Sequence, residues 1–172
     1  MAVYHFTLHA YRSWSPDHKR GYTVRGKGYQ KPDRDRAGQY NHRANFSKVE
    51  FDSLLQEILI LGTHDICRQR SWRLHCVGTE ASHVHIVISW RGFKPWREVM
   101  EKLKNLLSLF LGRATDQPGR KWFVTDGSRK RVMNQQHLDH LLTDYVPDHP
   151  GLFWIEGDPL PEDRTGFLQR RS

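Results

Sequence analysis

The sequence predicts an α+β fold, a single domain in which helices pack on a central antiparallel sheet. Alternating or β-branched residues, typical of strands, mark residues 3–11, 72–77 and 80–90. Apolar residues recur at helical spacing over residues 47–70 and 96–112. The chain of 172 residues is about the size of one domain and long enough to bury a hydrophobic core.

The first strand is predicted at residues 3–11, where successive side chains point to opposite faces. One face would carry Tyr4, Phe6, Leu8 and Ala10, and the other Val3, His5, Thr7, His9 and Tyr11. This composition indicates a buried strand with both faces partly covered.

A basic insertion follows at residues 12–43. Its nine Lys and Arg residues against three Asp give it +6 of the chain's net charge of +8. Trp14, Tyr22, Tyr29 and Tyr40 are interleaved with the basic residues and with glycines. This pattern fits a flexible arm that neutralises phosphates and stacks on bases. A solvated loop without a partner has a similar composition, and a short hairpin is compatible with residues 22–25.

A helix is predicted to begin at Ser47 and to continue to about Arg70. Ser47 and Glu50 match a capping box, in which each side chain satisfies a backbone N–H of the first turn. Phe46 lies where a hydrophobic staple would pack.

The next helix is predicted to start at Pro95, because proline suits the first turn, and to end at Gly112. Its apolar stripe indicates a core-facing helix. Residues 121–125 and 130–133 are predicted as two short strands, or a strand and its return, joined by a turn at residues 126–127.

The last helix is predicted to start near Gln135. Tyr145 shares the inward face of Leu138, seven residues earlier, which by itself is more typical of a core tyrosine than of a reactive one. His149 follows Tyr145 by four residues, one helical turn later on the same face. Pro147 lies between them and is able to bend or end the helix.

The predicted domain therefore covers residues 1–155, with a loose C-terminal tail at residues 156–172. Residues 150–172 are rich in proline, glycine and charge, apart from one apolar patch at residues 152–155.

The strand at residues 80–90 carries the most informative pattern. It is expected to pair antiparallel with residues 72–77, because only residues 78–82 join them. His83 and His85 project from one face of this strand, where two imidazoles form a ready pair of ligands for a divalent metal. Two ordinary strand histidines would give the same tripeptide, so the pair alone leaves both interpretations open.

Composition narrows the class of partner. A net charge of +8 and a pI near 9.7 favour nucleic acid over a membrane surface, because no amphipathic basic helix stands out. Cys67 and Cys76 are interpreted as reduced thiols of a cytosolic protein, and neither a signal peptide nor a membrane span is predicted. The candidate nucleic-acid-binding residues are basic: Arg12, Lys19, Arg20, Arg25, Lys27, Lys31, Arg34, Arg36, Arg129, Lys130 and Arg131. The last three equally fit a solvated strand edge.

The order of these elements resembles the HUH single-strand DNA endonucleases, in particular the single-tyrosine branch of insertion-sequence and REP-associated tyrosine transposases. The resemblance covers roughly residues 3–11 and 46–155. It rests on the pair His83 and His85, on the segment around Trp122 that precedes a helix, and on Tyr145 within that helix.

The resemblance implies a ferredoxin-like or RRM-like sheet and an endonuclease and strand transferase acting on single-stranded or hairpin DNA. Tyr145 would be the nucleophile that forms a 5′-phosphotyrosine intermediate. His83, His85 and His149 would hold a divalent metal, with Mg²⁺ or Mn²⁺ expected and Zn²⁺ or Co²⁺ also suited to three imidazoles. The family has an amide side chain at the position of His149, so this histidine is a departure. Asp148 is the substitute ligand if the turn unwinds.

Two alternatives remain at this level. An RNA 2H phosphoesterase needs two His-x-Thr/Ser motifs, and His5 with Thr7 supplies one without a second in a suitable strand. A domesticated, non-catalytic protein that binds single-stranded or hairpin nucleic acid would keep the His pair and Tyr145 for structural reasons. The sequence also leaves open the DNA sequence recognised, and whether the chain acts as a monomer or as a homodimer.

Overall fold

A computed structural model describes residues 1–24 and 26–163. It confirms the predicted α+β fold. The strands are β1 (Val3–His9), β2 (Tyr22–Val24), β3 (Gly28–Gln30), β4 (Trp72–Thr79), β5 (His83–Trp90), β6 (Ser128–Arg131) and β7 (Phe153–Ile155). The helices are α1 (Arg34–His42), α2 (Ser53–Arg70), α3 (Trp96–Ala114) and α4 (Gln135–His140), which continues into a π-helical turn, Leu141–Tyr145.

Five strands form one antiparallel sheet in the order β6-β1-β5-β4-β7, and β2 and β3 form a separate hairpin. The register of β1 against β5 pairs His9 with His83 and Thr7 with His85. Paired residues of an antiparallel ladder share a face of the sheet. The histidines of β1 and of β5 are therefore neighbours on one surface.

The two faces of the sheet carry different layers. Helices α2 and α3 cover one face, where Phe6, Leu8, Ile86 and Ile88 are buried in the main core. Helix α4 and the π turn cover the other face through a smaller apolar cluster of Cys76, Val87, Leu141 and Val146. The histidines of β1 and β5 lie beside this smaller cluster. The sheet thus separates the main core from the candidate site.

The N-cap of helix α2 lies five residues later than the capping box predicts, so the predicted start was wrong. Asp52 is the N-cap, and its carboxylate accepts a hydrogen bond from the Leu55 N–H at 2.8 Å. Upstream, Val49 and Phe51 are buried and donate backbone hydrogen bonds to Tyr11 and Ala81. Those tertiary bonds hold the chain extended where local pattern favoured a helix.

Of the two short strands predicted at residues 121–125 and 130–133, the second is found as β6 and the first is a single bridge at Phe123, and the two do not pair as a strand and its return. Both segments instead run along the same edge of β1, where Phe123 bridges Ala10 and Ser128 pairs with Thr7. Each finds its backbone partners on β1, so neither needs the other. Helix α3 continues past the predicted stop at Gly112 to Ala114.

The basic insertion contains more regular structure than the sequence indicates. The β2–β3 hairpin matches the segment where a hairpin was compatible with the sequence, but helix α1 was missed. Asp33 caps α1 by accepting from the Arg36 N–H at 2.9 Å. A single buried residue, Ala37, faces inward from this helix, so it lacks the apolar periodicity that would have revealed it.

The apolar patch at residues 152–155 is part of the sheet and not of a loose segment. Strand β7 pairs with β4 along its outer edge, with Ile155 opposite Cys76. Glu156 then forms an ion pair with Arg73 at 2.9 Å. The rest of the predicted tail stays a prediction, since residues 164–172 lie outside the described residues. Among the residues described, no helix is long and apolar enough to cross a membrane.

Candidate active site

Three histidines meet on the face of the sheet that helix α4 covers. His83 and His85 come from β5, and His149 comes from the chain just after the π turn. Each offers one ring nitrogen to a common point, and these atoms lie within 4.8 Å of one another. The structure thus brings together the three side chains for which the sequence predicts metal binding.

The orientation of His83 is set by a carboxylate. Its Nδ1 lies 2.7 Å from Glu80 Oε1, and because a carboxylate only accepts, Nδ1 carries the proton. Ser82 Oγ donates to the same carboxylate and lies 2.9 Å from Nδ1. Nε2 of His83 is left with its lone pair toward the cluster, in the pattern by which carboxylates orient metal-binding histidines.

His149 is fixed by the main chain. Its Nδ1 donates to the Tyr145 carbonyl oxygen at 2.8 Å, which again leaves the Nε2 lone pair available. The π turn makes this contact feasible despite Pro147. The N–H of Val146 donates to Leu141 O, five residues back, and that of Asp148 donates to Asp144 O. The chain therefore keeps turning through the proline and does not release His149 to solvent.

The third histidine, His85, is the most enclosed of the set at 2 % exposure. Its Nδ1 lies 2.8 Å from His5 Nε2 and 3.2 Å from Thr7 Oγ1, both on β1. Its Nε2 lies 2.7 Å from Nε2 of His83. When Nδ1 of His85 donates to His5, the Nε2 lone pair of His85 faces that of His83, an arrangement that is favourable only with a cation between the two nitrogens.

Burial favours the neutral form of His5, His83 and His85 by lowering the pKa of each. Desolvation lowers the pKa of His85 to about 2, with His5 and other histidines adding to the effect. Desolvation likewise lowers the pKa of His5 to about 4, with the Lys130 ammonium as the next cause. The pKa of His83 is also lowered by burial, while Glu80 opposes the shift. Neutral imidazoles are the form that binds metals.

A divalent metal fits this donor set. Three neutral imidazoles are typical ligands of first-row metals, and their outer nitrogens each have a hydrogen-bond partner that fixes the ring. The cluster His83, His85 and His149 could therefore hold a metal ion. Asp148, the substitute ligand considered from the sequence, is exposed and is not a member of this cluster among the residues described.

Tyr145 stands directly beside the cluster. Its ring centroid lies 5.5 Å from that of His85, 5.2 Å from that of His149 and 5.7 Å from that of His5. The side chain is 38 % exposed, at a cleft of about 720 Å³ that Asp144, Asp148 and His149 also line. A phenol at this place can meet a substrate that enters from solvent.

The basic triplet of β6 divides between the two faces of the sheet. Lys130 pairs with His5 and shares its face, whereas Arg129 and Arg131 pair with Phe6 and Tyr4 on the opposite face. The Arg129 guanidinium lies 4.1 Å from the centre of the Trp96 ring. Only Lys130 of the three is therefore close to the candidate site.

The basic insertion starts at the site end of the sheet, three residues after His9, the partner of His83. Two of its predicted phosphate contacts have internal partners. Arg12 donates to Asn41 and to Phe46 O, and Arg36 lies 5.2 Å over the Tyr22 ring. The others are exposed and form no ion pair among the residues described: Lys19, Arg20, Lys27, Lys31 and Arg34. Arg25 lies outside the described residues.

Sequence reasoning missed two contributors to the site. His5 is 4 % exposed and bonds to His85, and Glu80 holds the His83 ring. Alternation along β1 places His5 and Phe6 on opposite faces of the sheet. The contact of His5 with His85, however, follows only from the register of β1 against β5. His5 and Thr7, half of a 2H motif, both contact His85, so in this structure they support a ligand of the histidine cluster.

Comparisons with known proteins give few matches. No protein-family model matches the chain. No curated protein matches it either. Among solved structures, the chain is similar to a REP-associated tyrosine transposase bound to a REP hairpin, at 12 % identity and a TM-score of 0.47. That match covers 84 % of this chain and 64 % of the other, so the chain spans under two thirds of that protein.

A second similar structure is a candidate transposase from Deinococcus radiodurans R1, at 12 % identity and a TM-score of 0.44. It covers 86 % of this chain and 90 % of the other.

Proposed function

We propose that this chain is a metal-dependent endonuclease and strand transferase of the HUH single-tyrosine type, acting on single-stranded or hairpin DNA. Tyr145 is its nucleophile, and His83, His85 and His149 are its metal ligands. One observation carries the proposal: an accessible phenol stands 5.2–5.5 Å, between ring centroids, from two histidines of a three-histidine cluster.

The protein side of the reaction follows from these positions. The oxygen of Tyr145 attacks a backbone phosphorus, an oxygen–phosphorus bond to tyrosine forms, and the phosphorus–O3′ bond breaks. The phenol loses its proton to solvent, and the departing oxygen gains one to become a 3′-hydroxyl. A phosphodiester is exchanged for a phosphotyrosyl ester, so a second strand end can reverse the step without ATP.

A divalent metal held by the three histidines would neutralise a non-bridging phosphate oxygen and polarise the phosphorus. The cleft itself carries negative charge that a bound cation would offset. Asp144 and Asp148 line the cleft beside Tyr145, and their carboxylates repel an approaching phosphodiester. Lys130 supplies one compensating cation on the same face of the sheet.

The charge distribution supports nucleic acid as the binding partner. Exposed basic residues of the insertion extend from the sheet end that carries His83, and the chain as a whole carries +8. Contacts of this kind bind the phosphate backbone and position a strand without reading its sequence.

The test is covalent trapping. The protein is incubated with Mn²⁺ and a mixed pool of single-stranded and hairpin oligonucleotides, and adducts are separated in SDS. We expect an adduct that Tyr145→Phe abolishes while DNA binding is kept. The matched control is Tyr40→Phe, an exposed tyrosine of helix α1, which should form the adduct normally.

The same assay decides against the rival interpretation. A non-catalytic DNA-binding protein would bind the oligonucleotides without an adduct, with or without Mn²⁺. An adduct of equal yield in Tyr145→Phe would assign the nucleophile to another residue. Peptide mapping of the adduct then identifies the side chain that carries the phosphate.

A further inference from the structure

An exposed aromatic residue stands at the other end of strand β5, in the loop that leads to helix α3. Phe93 has a relative exposure of 104 %, so its whole ring faces solvent. Gly92 before it has φ +81°, a conformation that glycine adopts readily, and no atom lies near the position of an added Cβ. Trp90 Nε1 donates to Lys94 O at 3.2 Å and ties the loop to the sheet.

A cavity of about 520 Å³ opens beside this ring. Its wall contains Tyr4 and Trp90, whose rings stack at 5.1 Å with 15° between their planes. This volume is within the range of small-ligand sites. The stacked pair gives the cavity a rigid aromatic wall, in contrast to the free ring of Phe93.

The charges around the cavity are all of one sign. Arg91, Lys94 and Arg131 line it, and no carboxylate is among its lining residues. These three side chains make no ion pair within the described part of the chain. An exposed aromatic ring offers a face on which a base can stack, and the cations around it favour an anionic partner.

We propose that this loop is a nucleotide-binding clip for single-stranded nucleic acid. We name it the Phe93 clip, formed by Arg91, Phe93, Lys94 and Arg131. A base stacks on Phe93, and the flanking phosphates contact the three cations. A paired base is stacked inside its duplex, so the ring reaches a base only in a single strand or at a frayed or looped position.

The clip is separate from the histidine cluster. His83 and Trp90 are the two ends of β5, seven residues apart, which is about 23 Å at the usual rise of a strand. The side chain of Trp90 faces the layer of α2 and α3, whereas His85 faces α4. The proposal therefore does not depend on cleavage, and it is tested without metal.

The experiment measures binding of a fluorescent single-stranded dT oligonucleotide by anisotropy, in EDTA and at fixed salt. We expect Phe93→Ala to weaken binding about 5- to 100-fold, the range seen for loss of one base stack. Phe93→Trp should restore it. The control is Leu109→Ala, another exposed apolar residue at 55 % exposure on α3, which should bind as the unmodified protein does.

A second ligand separates stacking from mere apolar contact. An abasic oligonucleotide keeps the phosphates but has no bases, so the unmodified protein and Phe93→Ala should bind it equally. Arg91→Gln and Lys94→Gln should each lower the slope of log K against log salt by about 0.7. Equal binding of dT by Phe93→Ala and the unmodified protein would overturn the proposal. So would self-association that Phe93→Ala abolishes, because the loop would then be a contact between copies.

Discussion

The two ends of strand β5 illustrate opposite ways of arranging functional side chains. At one end, His83 and His85 are largely enclosed, and the Nδ1 atom of each ring has a hydrogen-bond partner. At the other end, the Phe93 clip places an aromatic ring and three cations in solvent, and these cations form no ion pair among the described residues. One strand thus supports a fixed set of ligands and an open surface about 23 Å apart.

The difference in exposure between the two ends of β5 follows from the two kinds of ligand proposed for them. Metal ligands must keep one ring orientation and one protonation state, and hydrogen bonds from outside the cluster provide both. Contacts to a flexible single strand must tolerate many conformations, so exposed rings and long basic side chains are suited to them. The predictions below test this contrast, beginning with the largest expected effect.

Loss of a ligand should have the largest effect. We expect His85→Ala to weaken Mn²⁺ or Co²⁺ binding at least a hundredfold, because more is lost than the 10- to 100-fold typical of outer hydrogen-bond partners. Isothermal titration calorimetry measures this directly. His42→Ala, an exposed histidine of helix α1, is the matched control. Equal affinity of the His85 variant would remove the cluster as the metal site.

His149 is tested separately because Pro147 precedes it. We expect His149→Ala to reduce affinity as His85→Ala does, since its Nδ1–H bond to Tyr145 O already fixes the ring. A crystal soaked in Mn²⁺ should show anomalous density bonded to all three histidines. Density at His83 and His85 with His149 turned away would assign the third position to Asp148, water or DNA.

Acid should destabilise the metal-free protein through its buried imidazoles. The folded protein holds His5 at a pKa of about 4, against 6.5 when unfolded, so below pH 6.5 the unfolded chain binds more protons. The stability from neutral His5 is complete above about pH 6.5 and is lost as pH falls toward 4, by about 3 kcal/mol. The charged or titratable groups near His5 include Lys130, His83, His85, His137, Tyr145 and His149.

Urea unfolding at pH 7 and pH 5 with EDTA present measures this loss. His5→Gln keeps a side-chain hydrogen-bond acceptor for His85 and should show a smaller difference between the two pH values. The same urea midpoint for the unmodified protein at both pH values would contradict the buried, neutral state of His5.

Removal of the carboxylate behind His83 should have a moderate effect. Glu80→Gln takes away the charge that orients His83 Nδ1–H at 2.7 Å, and we expect metal affinity to fall 10- to 100-fold. Glu50→Gln is a suitable control, because Glu50 is exposed and pairs only with Lys48 at the surface. An unchanged affinity would show that Ser82 alone suffices to hold the ring.

Charge removal in the basic insertion should have the smallest effect per residue. Each of Lys19, Lys27 and Lys31 changed to Gln should reduce the salt slope of DNA binding by about 0.7 for a single strand. Arg12→Gln should alter the slope less, because Arg12 is bonded to Asn41 and Phe46 O. A salt slope unaffected by all three lysine changes would mean that the insertion only solvates the domain.

Several features were determined by local sequence alone. Alternation along β1 and β5 set which histidines share a face. The four-residue spacing of Tyr145 and His149 predicted neighbouring side chains, and their ring centroids lie 5.2 Å apart. These features repeat every two or about four residues, so they can be recognised in the sequence without knowledge of the fold. The chemical role of those residues stays a prediction.

Tertiary structure decided the features that depend on which segment meets which. The start of α2 at Ser53 followed from burial of Val49 and Phe51, and strand β7 followed from the free edge of β4. The register of β6 on β1 placed Lys130 beside His5 and turned its neighbours away. The partnership of His5 with His85 depends on the pairing of strands that are far apart in the sequence, so no local pattern predicts it. The π turn before His149 is local, but the helical spacing of the sequence did not distinguish it from a regular helix.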